Sequence, residues 1–316
     1  MNTKYLSAFL VCVSAAMWGF DGVVLTPRLY NLDVSYVVFI LHALPFLGMN
    51  LILYKEYKWI GRMSRSDLLF FFLIALFGGA LGTLSIVKAL FLVEFKHLTV
   101  VALLNKLQPV FAILLAGILL KERIGKNFIL WASVAICGGY FLTFQFHVPE
   151  IVHGGKMLPA ALYALLAAFS FGSATVFGKR VLFKVPFQTA LFFRYGITSV
   201  LMLAMVLING KYSQLSVTTP TNWTFFVIIG LTTGSGAILL YYYALRHISA
   251  SVSTICELCF PISSIFFDYV FNGNVLSPIQ WVSASVMLFA IVKITVNQNS
   301  VSENGPCLEP ACEASA

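Results

Sequence analysis

Apolar residues run along this chain in stretches of about 20, separated by short polar punctuation. They show neither the strict alternation of a half-buried strand nor the narrow stripe of a helix with one wet side. The runs fall at roughly 5–26, 35–54, 67–91, 98–120 and 128–146, then at 157–178, 187–208, 222–245, 248–271 and 278–296. A helix of about 20 apolar residues spans the hydrocarbon core of a bilayer. The pattern therefore predicts an all-α membrane protein with about ten transmembrane helices. Lys4 followed by an apolar run and Ser14-Ala15-Ala16 could mimic a cleaved leader. The run continues to Leu25 and a matching segment recurs later, so it is read as the first helix. Residues 297–316 turn polar and are expected to form a disordered tail.

The chain reads as two similar halves, 1–147 and 148–296. Trp18-Gly19-Phe20 in the first helix is echoed by Phe171-Gly172-Ser173 in the sixth, and Ala89-Leu90 by Ala244-Leu245. Gly78 and Gly82 are paired with Gly230 and Gly234, a small-residue spacing that lets helices approach closely. Pro109 matches Pro261. An odd number of helices per half makes the second enter the membrane from the opposite side. The expected architecture is thus two inverted five-helix repeats, a build that places a transport site near the midplane between the halves.

Composition agrees with this. Only 10% of the residues are charged and 59% are hydrophobic, whereas a water-facing domain carries about 25% charged residues. The net charge of +8 suggests membrane topology, not a nucleic-acid partner. With the N-terminus inside, thirteen Lys and Arg residues fall on the cytoplasmic side, and only Arg28, Lys96, Lys156 and Lys211 on the other. That bias predicts both termini in the cytoplasm, and the compact loops suggest a bacterial inner membrane. Cys256 and Cys259 have the spacing of a redox or zinc pair. No second pair stands nearby, so they are read as small buried residues and no metal site is expected. Phosphate-gripping loops, zinc-protease His pairs and nucleophile elbows are missing, so neither an enzyme nor a cofactor is expected. The expected partners are the lipid bilayer and a small-molecule substrate, with the chain a monomer or a dimer.

The segments Ala89-Leu90, Pro109-Val110-Phe111-Ala112 and Lys121-Glu122-Arg123-Ile124 resemble the EamA domain of the drug/metabolite transporter superfamily. The resemblance runs over roughly 5–296, with one departure: Gly273-Asn274-Val275 stands where the first half has Lys121-Glu122-Arg123. It implies a ten-helix carrier of amino acids or other small metabolites, with a central cavity lined by helices one, three, four, six, eight and nine.

Ionisable groups inside membrane spans are costly, at about 2.5–3.5 kcal/mol each, and mark partners or wet cavities. The candidates are Asp21, Lys88, Lys106, Arg194 and Glu257, with His42 beside them. Ser249, Ser253, Glu257, Pro261, Ser264 and Asp268 recur at helical spacing and predict a polar stripe along the ninth helix. In the fourth, Asn105, Lys106 and Gln108 precede Pro109, which frees the carbonyl one turn earlier. Asn105 aligns with Glu257 across the halves. Lys88 either snorkels to the interface or pairs with Asp21, Arg194 either pairs structurally or faces the path, and His42 reads as a packing residue. Trp18 either packs or forms an aromatic wall, and Tyr241, Tyr242 and Tyr243 read as packing.

The leading expectation is a secondary transporter or facilitator of amino acids or related zwitterions, working by alternating access. Its substrate would meet Lys106, Asn105, Gln108, Glu257, Trp18, Asp21, Lys88 and Ser253. Lys106 would hold a carboxylate, and Glu257 or Asp21 would exchange a proton. An alternative is a cationic or aromatic cargo, such as a quaternary amine, a drug or S-adenosylmethionine, facing Asp21, Glu257 and Trp18. A lipid-head-group flippase is a third reading.

Overall fold

The computed structural model describes residues 3–92, 101, 104–105, 107–146, 157–273, 275, 277–297 and 301–303. The helices are α1 (Thr3–Leu29), α2 (Val34–Ile52), α3 (Arg65–Leu92), α4 (Gln108–Leu119) and α5 (Lys126–Phe144). In the second half they are α6 (Met157–Leu182), α7 (Phe187–Ile208), α8 (Pro220–Leu245), α9 (Ala250–Asn272) and α10 (Pro278–Val296). Eight are long and apolar enough to cross a membrane, and α4 and α5 are shorter apolar helices. The fold is that of an integral membrane protein built from inverted repeats. The fourth span, expected from residue 98, is described as a continuous helix only from Gln108.

Helix pairing follows the repeat. α1 packs on α9 as α6 packs on α4, and α3 packs on α6 as α8 packs on α1. α2 pairs with α7, and α5 with α10, so each of these pairs joins one element to its own counterpart. The arrangement leaves α1, α3, α4, α6, α8 and α9 in the middle.

Local signals repeat as well. α3 begins with a capping box in which Ser64 and Asp67 satisfy each other's backbone N–H, and α8 begins with the same device from Thr219 and Asn222. Such reciprocal caps satisfy donors that a helix start leaves orphaned. Ten α-helical residues follow in each case, and then each helix widens into a π turn, Ala75–Leu81 in α3 and Gly230–Gly234 in α8. The caps therefore set Ala75 opposite Gly230 and Gly79 opposite Gly234, three residues from the pairing of Gly78 with Gly230 read in the sequence. At Gly79 the missing side chain is what permits packing. A Cβ there would lie 2.1 Å from Thr198 Oγ1 of α7.

Two charged side chains tie the α8–α9 corner. Lys179 of α6, only 2% exposed, donates to the carbonyls of Leu245 (3.1 Å) and Arg246 (3.2 Å) at the end of α8. Glu122, 6% exposed, accepts from the backbone N–H groups of Ala250 (2.8 Å) and Ser251 (3.1 Å) at the start of α9. A cation at a helix C-terminus and an anion at an N-terminus both match the backbone dipoles. Glu122 lies in strand β1 (Glu122–Ile124), which pairs antiparallel with β2 (Val301–Glu303). Of the tail, residues 301–303 form this short strand.

Candidate functional site

In the middle of the fold, α9 breaks one turn before a proline and α4 starts directly before one. In α9, Pro261 has no N–H to offer the Glu257 carbonyl, and the Phe260 N–H takes it instead at 2.9 Å. Regular helix therefore stops at Cys256 and resumes at Cys259, with Glu257 and Leu258 in a turn between. In the other half, α4 starts at Gln108 with Pro109 in its first turn, and the Leu107 N–H bonds the Leu104 carbonyl at 3.1 Å.

The two points meet. Gln108 Nε2 donates to Glu257 Oε2 at 2.6 Å across a separation of 149 residues. The Tyr241 hydroxyl of α8 donates to Glu257 Oε1 at 2.7 Å, and Thr175 of α6 reaches the same oxygen at 3.4 Å. Thr175 and Tyr241 also lie within hydrogen-bond distance of each other, at 2.9 Å. The Trp18 ring of α1 sits 5.5 Å from the Tyr241 ring, tilted by 56°. Glu257, Gln108 and Trp18 are half-buried, whereas Tyr241 and Thr175 are buried. The result is a carboxylate surrounded by donors beside an aromatic wall, assembled from both halves.

α6 supports this cluster closely. A Cβ on Gly172 would lie 2.8 Å from the Gln108 carbonyl oxygen and 3.0 Å from the Ala112 nitrogen. Only glycine lets α6 come this near to the backbone at the start of α4. Two buried polar atoms nearby in sequence have no hydrogen-bond partner among the described residues: Asn105 Oδ1 and Ser253 Oγ.

The other sequence candidates divide. Lys106 lies outside the described residues. Asp21 opens a π turn of α1 (Asp21–Leu25), and its Oδ1 accepts from Thr26 at 3.0 Å. Lys88 is exposed and does not join the cluster. The hydrogen bond of Asp21 goes to its own helix, not to Lys88. His42 is a packing residue: Nδ1 lies 2.8 Å from the Val38 carbonyl, and the ring lies 5.1 Å from that of Tyr195.

Arg194 has a structural post. Its Nη2 donates to the Gly78 carbonyl inside the α3 π turn (3.0 Å), and its Nη1 to the Tyr242 hydroxyl of α8 (3.1 Å). In the stripe on α9, Ser249 caps the helix by accepting from the Val252 N–H, and Asp268 accepts from Asn272 at 2.7 Å. The α9 cysteines are buried free thiols, with Cys12 Sγ 3.8 Å from the Cys256 carbonyl.

Sequence reasoning passed over Tyr241 and Thr175. With 15% aromatic residues, a tyrosine in a span carries little signal, and a lone Thr carries less. A cavity of about 450 Å³ lies elsewhere, between α1, α9 and α10. Exposed Phe266, Trp281 and Leu288 line it, so it belongs to the outer surface and not to the Glu257 cluster.

Comparison with known proteins adds to this geometry. The model of the EamA-like transporter family matches the chain twice, over residues 5–144 and 158–296. A protein of Fusobacterium nucleatum described as riboflavin transporter ImpX is 58% identical over 296 residues, covering 93% of this chain and 99% of its own. The uncharacterized inner membrane transporter YedA of Escherichia coli K12 is 23% identical over 141 residues, 44% of each chain. A solved crystal structure superposes with a TM-score of 0.65 at 15% identity, covering 94% of this chain and 96% of that one. This last likeness is one of fold.

Proposed function

We propose that this chain, which belongs to the EamA-like transporter family, carries a planar heteroaromatic solute, with riboflavin the first candidate, through the Glu257 cluster. The observation that carries the reading is the meeting of Gln108, at the start of α4, with Glu257, in the α9 break, beside the Trp18–Tyr241 pair. Polar groups half-exposed at a helix break inside a bilayer are what a solute path requires, because irregular backbone is tolerated there only inside protein or along a wet cavity. The 58% identity to a riboflavin transporter favours an aromatic ring over the amino acids expected from the sequence.

The halves, 1–147 and 148–296, would rock about this cluster in a bacterial inner membrane with both termini cytoplasmic. Trp18, packed on Tyr241, would face the ring, Gln108 and Glu257 would bond its polar edge, and Asn105 and Ser253 would meet hydroxyl groups. Glu257, and Asp21 in the α1 π turn, would exchange protons during the cycle.

Uptake into proteoliposomes tests the reading. Labelled riboflavin should accumulate, and a 100-fold excess of mixed amino acids should not compete. Trp18→Ala should weaken apparent affinity by roughly 1–3 kcal/mol, about fivefold to 150-fold, the usual worth of ring stacking. Amino-acid competition, or uptake indifferent to Trp18→Ala, would reject it. Glu257→Gln separates the coupling role: riboflavin uptake with unchanged pH dependence would remove Glu257 from proton exchange.

A further inference from the structure

The order of donors and acceptors around Glu257 specifies more than a polar site. A carboxylate offers about four lone-pair positions. Gln108, Tyr241 and, at longer range, Thr175 take three of them. The Gln108 amide carries two hydrogens, and the one pointing to Glu257 is committed. What remains is an N–H on Gln108 and an acceptor position on Glu257, side by side on atoms 2.6 Å apart.

A ligand that satisfies both must present C=O and N–H adjacent and pointing the same way. A secondary open-chain amide does not do this, because its trans geometry turns the two groups to opposite sides; a primary amide presents the pair but has no ring to lie against an aromatic face. A simple amine, or an amino acid without a side-chain amide, has no such pair. A ring can, since closure forces the amide cis. Cyclic imides and ureides carry this edge, and the pyrimidine ring of an isoalloxazine carries it with an N–H between two carbonyls. The spacing of the Gln108 nitrogen and the Glu257 oxygen is close to that of neighbouring nitrogen and oxygen atoms on such a ring. Half-buried Trp18, packed at 56° on the buried Tyr241 ring, offers an aromatic face beside the pair.

We propose that Gln108 and Glu257 form a specificity subsite for the cis-amide edge of a planar heterocycle, Glu257 accepting its ring N–H and Gln108 donating to the adjacent carbonyl. Tyr241 and Thr175 act as positioning residues. They bind the same carboxylate from α8 and α6 and aim its remaining lone pair. The buried Asn105 Oδ1 without a partner, one turn before Gln108, offers an acceptor for a hydroxyl elsewhere on the ligand. This inference rests on the proposed heteroaromatic cargo.

The test uses the full-length protein in proteoliposomes and a chemical change in the ligand, so that it does not depend on a variant folding. Labelled riboflavin uptake is competed with unlabelled riboflavin, with N3-methylriboflavin, which has lost the ring N–H, and with lumiflavin, which keeps the edge but lacks the sugar chain. N3-methylriboflavin should compete at least about tenfold more weakly than riboflavin, since it leaves a buried acceptor unpaired, and lumiflavin should still compete. Glu257→Gln and Gln108→Met should each narrow the gap between riboflavin and its N3-methyl form. Equal competition by both forms would overturn the subsite while leaving flavin transport intact. Absence of any flavin uptake would overturn the cargo reading and the subsite with it.

Discussion

Replacing Glu122 by alanine should loosen the start of α9 without touching the transport path. The carboxylate is 6% exposed and receives Ala250 N–H at 2.8 Å, Ser251 N–H at 3.1 Å and the Ser251 hydroxyl at 2.5 Å. Alanine strands both backbone donors, each worth about 1–3 kcal/mol when buried and unpaired. The serine hydroxyl can rotate to another acceptor. Release of a desolvated carboxylate gives part of this back, so the net loss should be about 1–3 kcal/mol. Ser249→Ala, which removes the acceptor of the Val252 N–H, should cost about 0.5–2 kcal/mol as an ordinary cap. The two changes act on one helix start, and the double variant should lose less than the sum once that turn has frayed. Thermal unfolding of purified protein in detergent gives all three values. Glu122→Ala melting with the wild type would refute the capping argument, and full additivity would refute the shared turn.

Other predictions follow from the same geometry. Burial pushes the Glu122 carboxyl above its ordinary 4.5, against hydrogen bonds from Ser251 and Ala250 that pull it down. With the folded value raised, its favourable contribution is complete below the unfolded value and is lost as pH rises through the folded one. Wild-type stability measured against Glu122→Gln should therefore decline as pH rises past the ordinary carboxylate value, and a flat difference would reject the assignment. Gly172→Ala, with its Cβ 2.8 Å from the Gln108 carbonyl, should displace the start of α4 and lower uptake severalfold. Gly48→Ala, where nothing lies within 4 Å, should not, and equal effects would discount the close approach. Arg194→Met should cost about 1–3 kcal/mol of thermal stability by leaving the Gly78 carbonyl and Tyr242 hydroxyl without their donor. Unchanged melting would show that the bridge carries no weight.

The spans were readable because nearly every position in them is apolar, and length alone then decides the element. The inverted repeat was readable from local echoes such as Ala89-Leu90 and Ala244-Leu245, although the Gly78–Gly230 pairing slipped by three residues in helices rich in small residues. Glu257 and Gln108 each stood out as polar groups near a proline. Their contact did not, because a pairing 149 residues apart leaves no periodic trace. Tyr241 was hidden by the abundance of aromatics. Glu122 was recognised as part of a motif, yet its work is done on a helix start 128 residues later. The π turns left no mark at all, since one extra residue in an apolar run changes neither its composition nor its boundaries.

Those π turns also bear on ancestry. A π turn holds one residue more than a regular helix has room for, and it commonly sits at a functional point. Here the surplus comes ten residues into α3 and ten residues into α8, behind the same reciprocal cap. Independent insertions at one matching position in both halves are a poor account of this. The surplus residue is part of what the two halves share, and each half has its own occupant for the gap. In α3 an arginine now fills it, through the Gly78 carbonyl. In α8 the Ser235 hydroxyl bonds Gly230 at 2.7 Å.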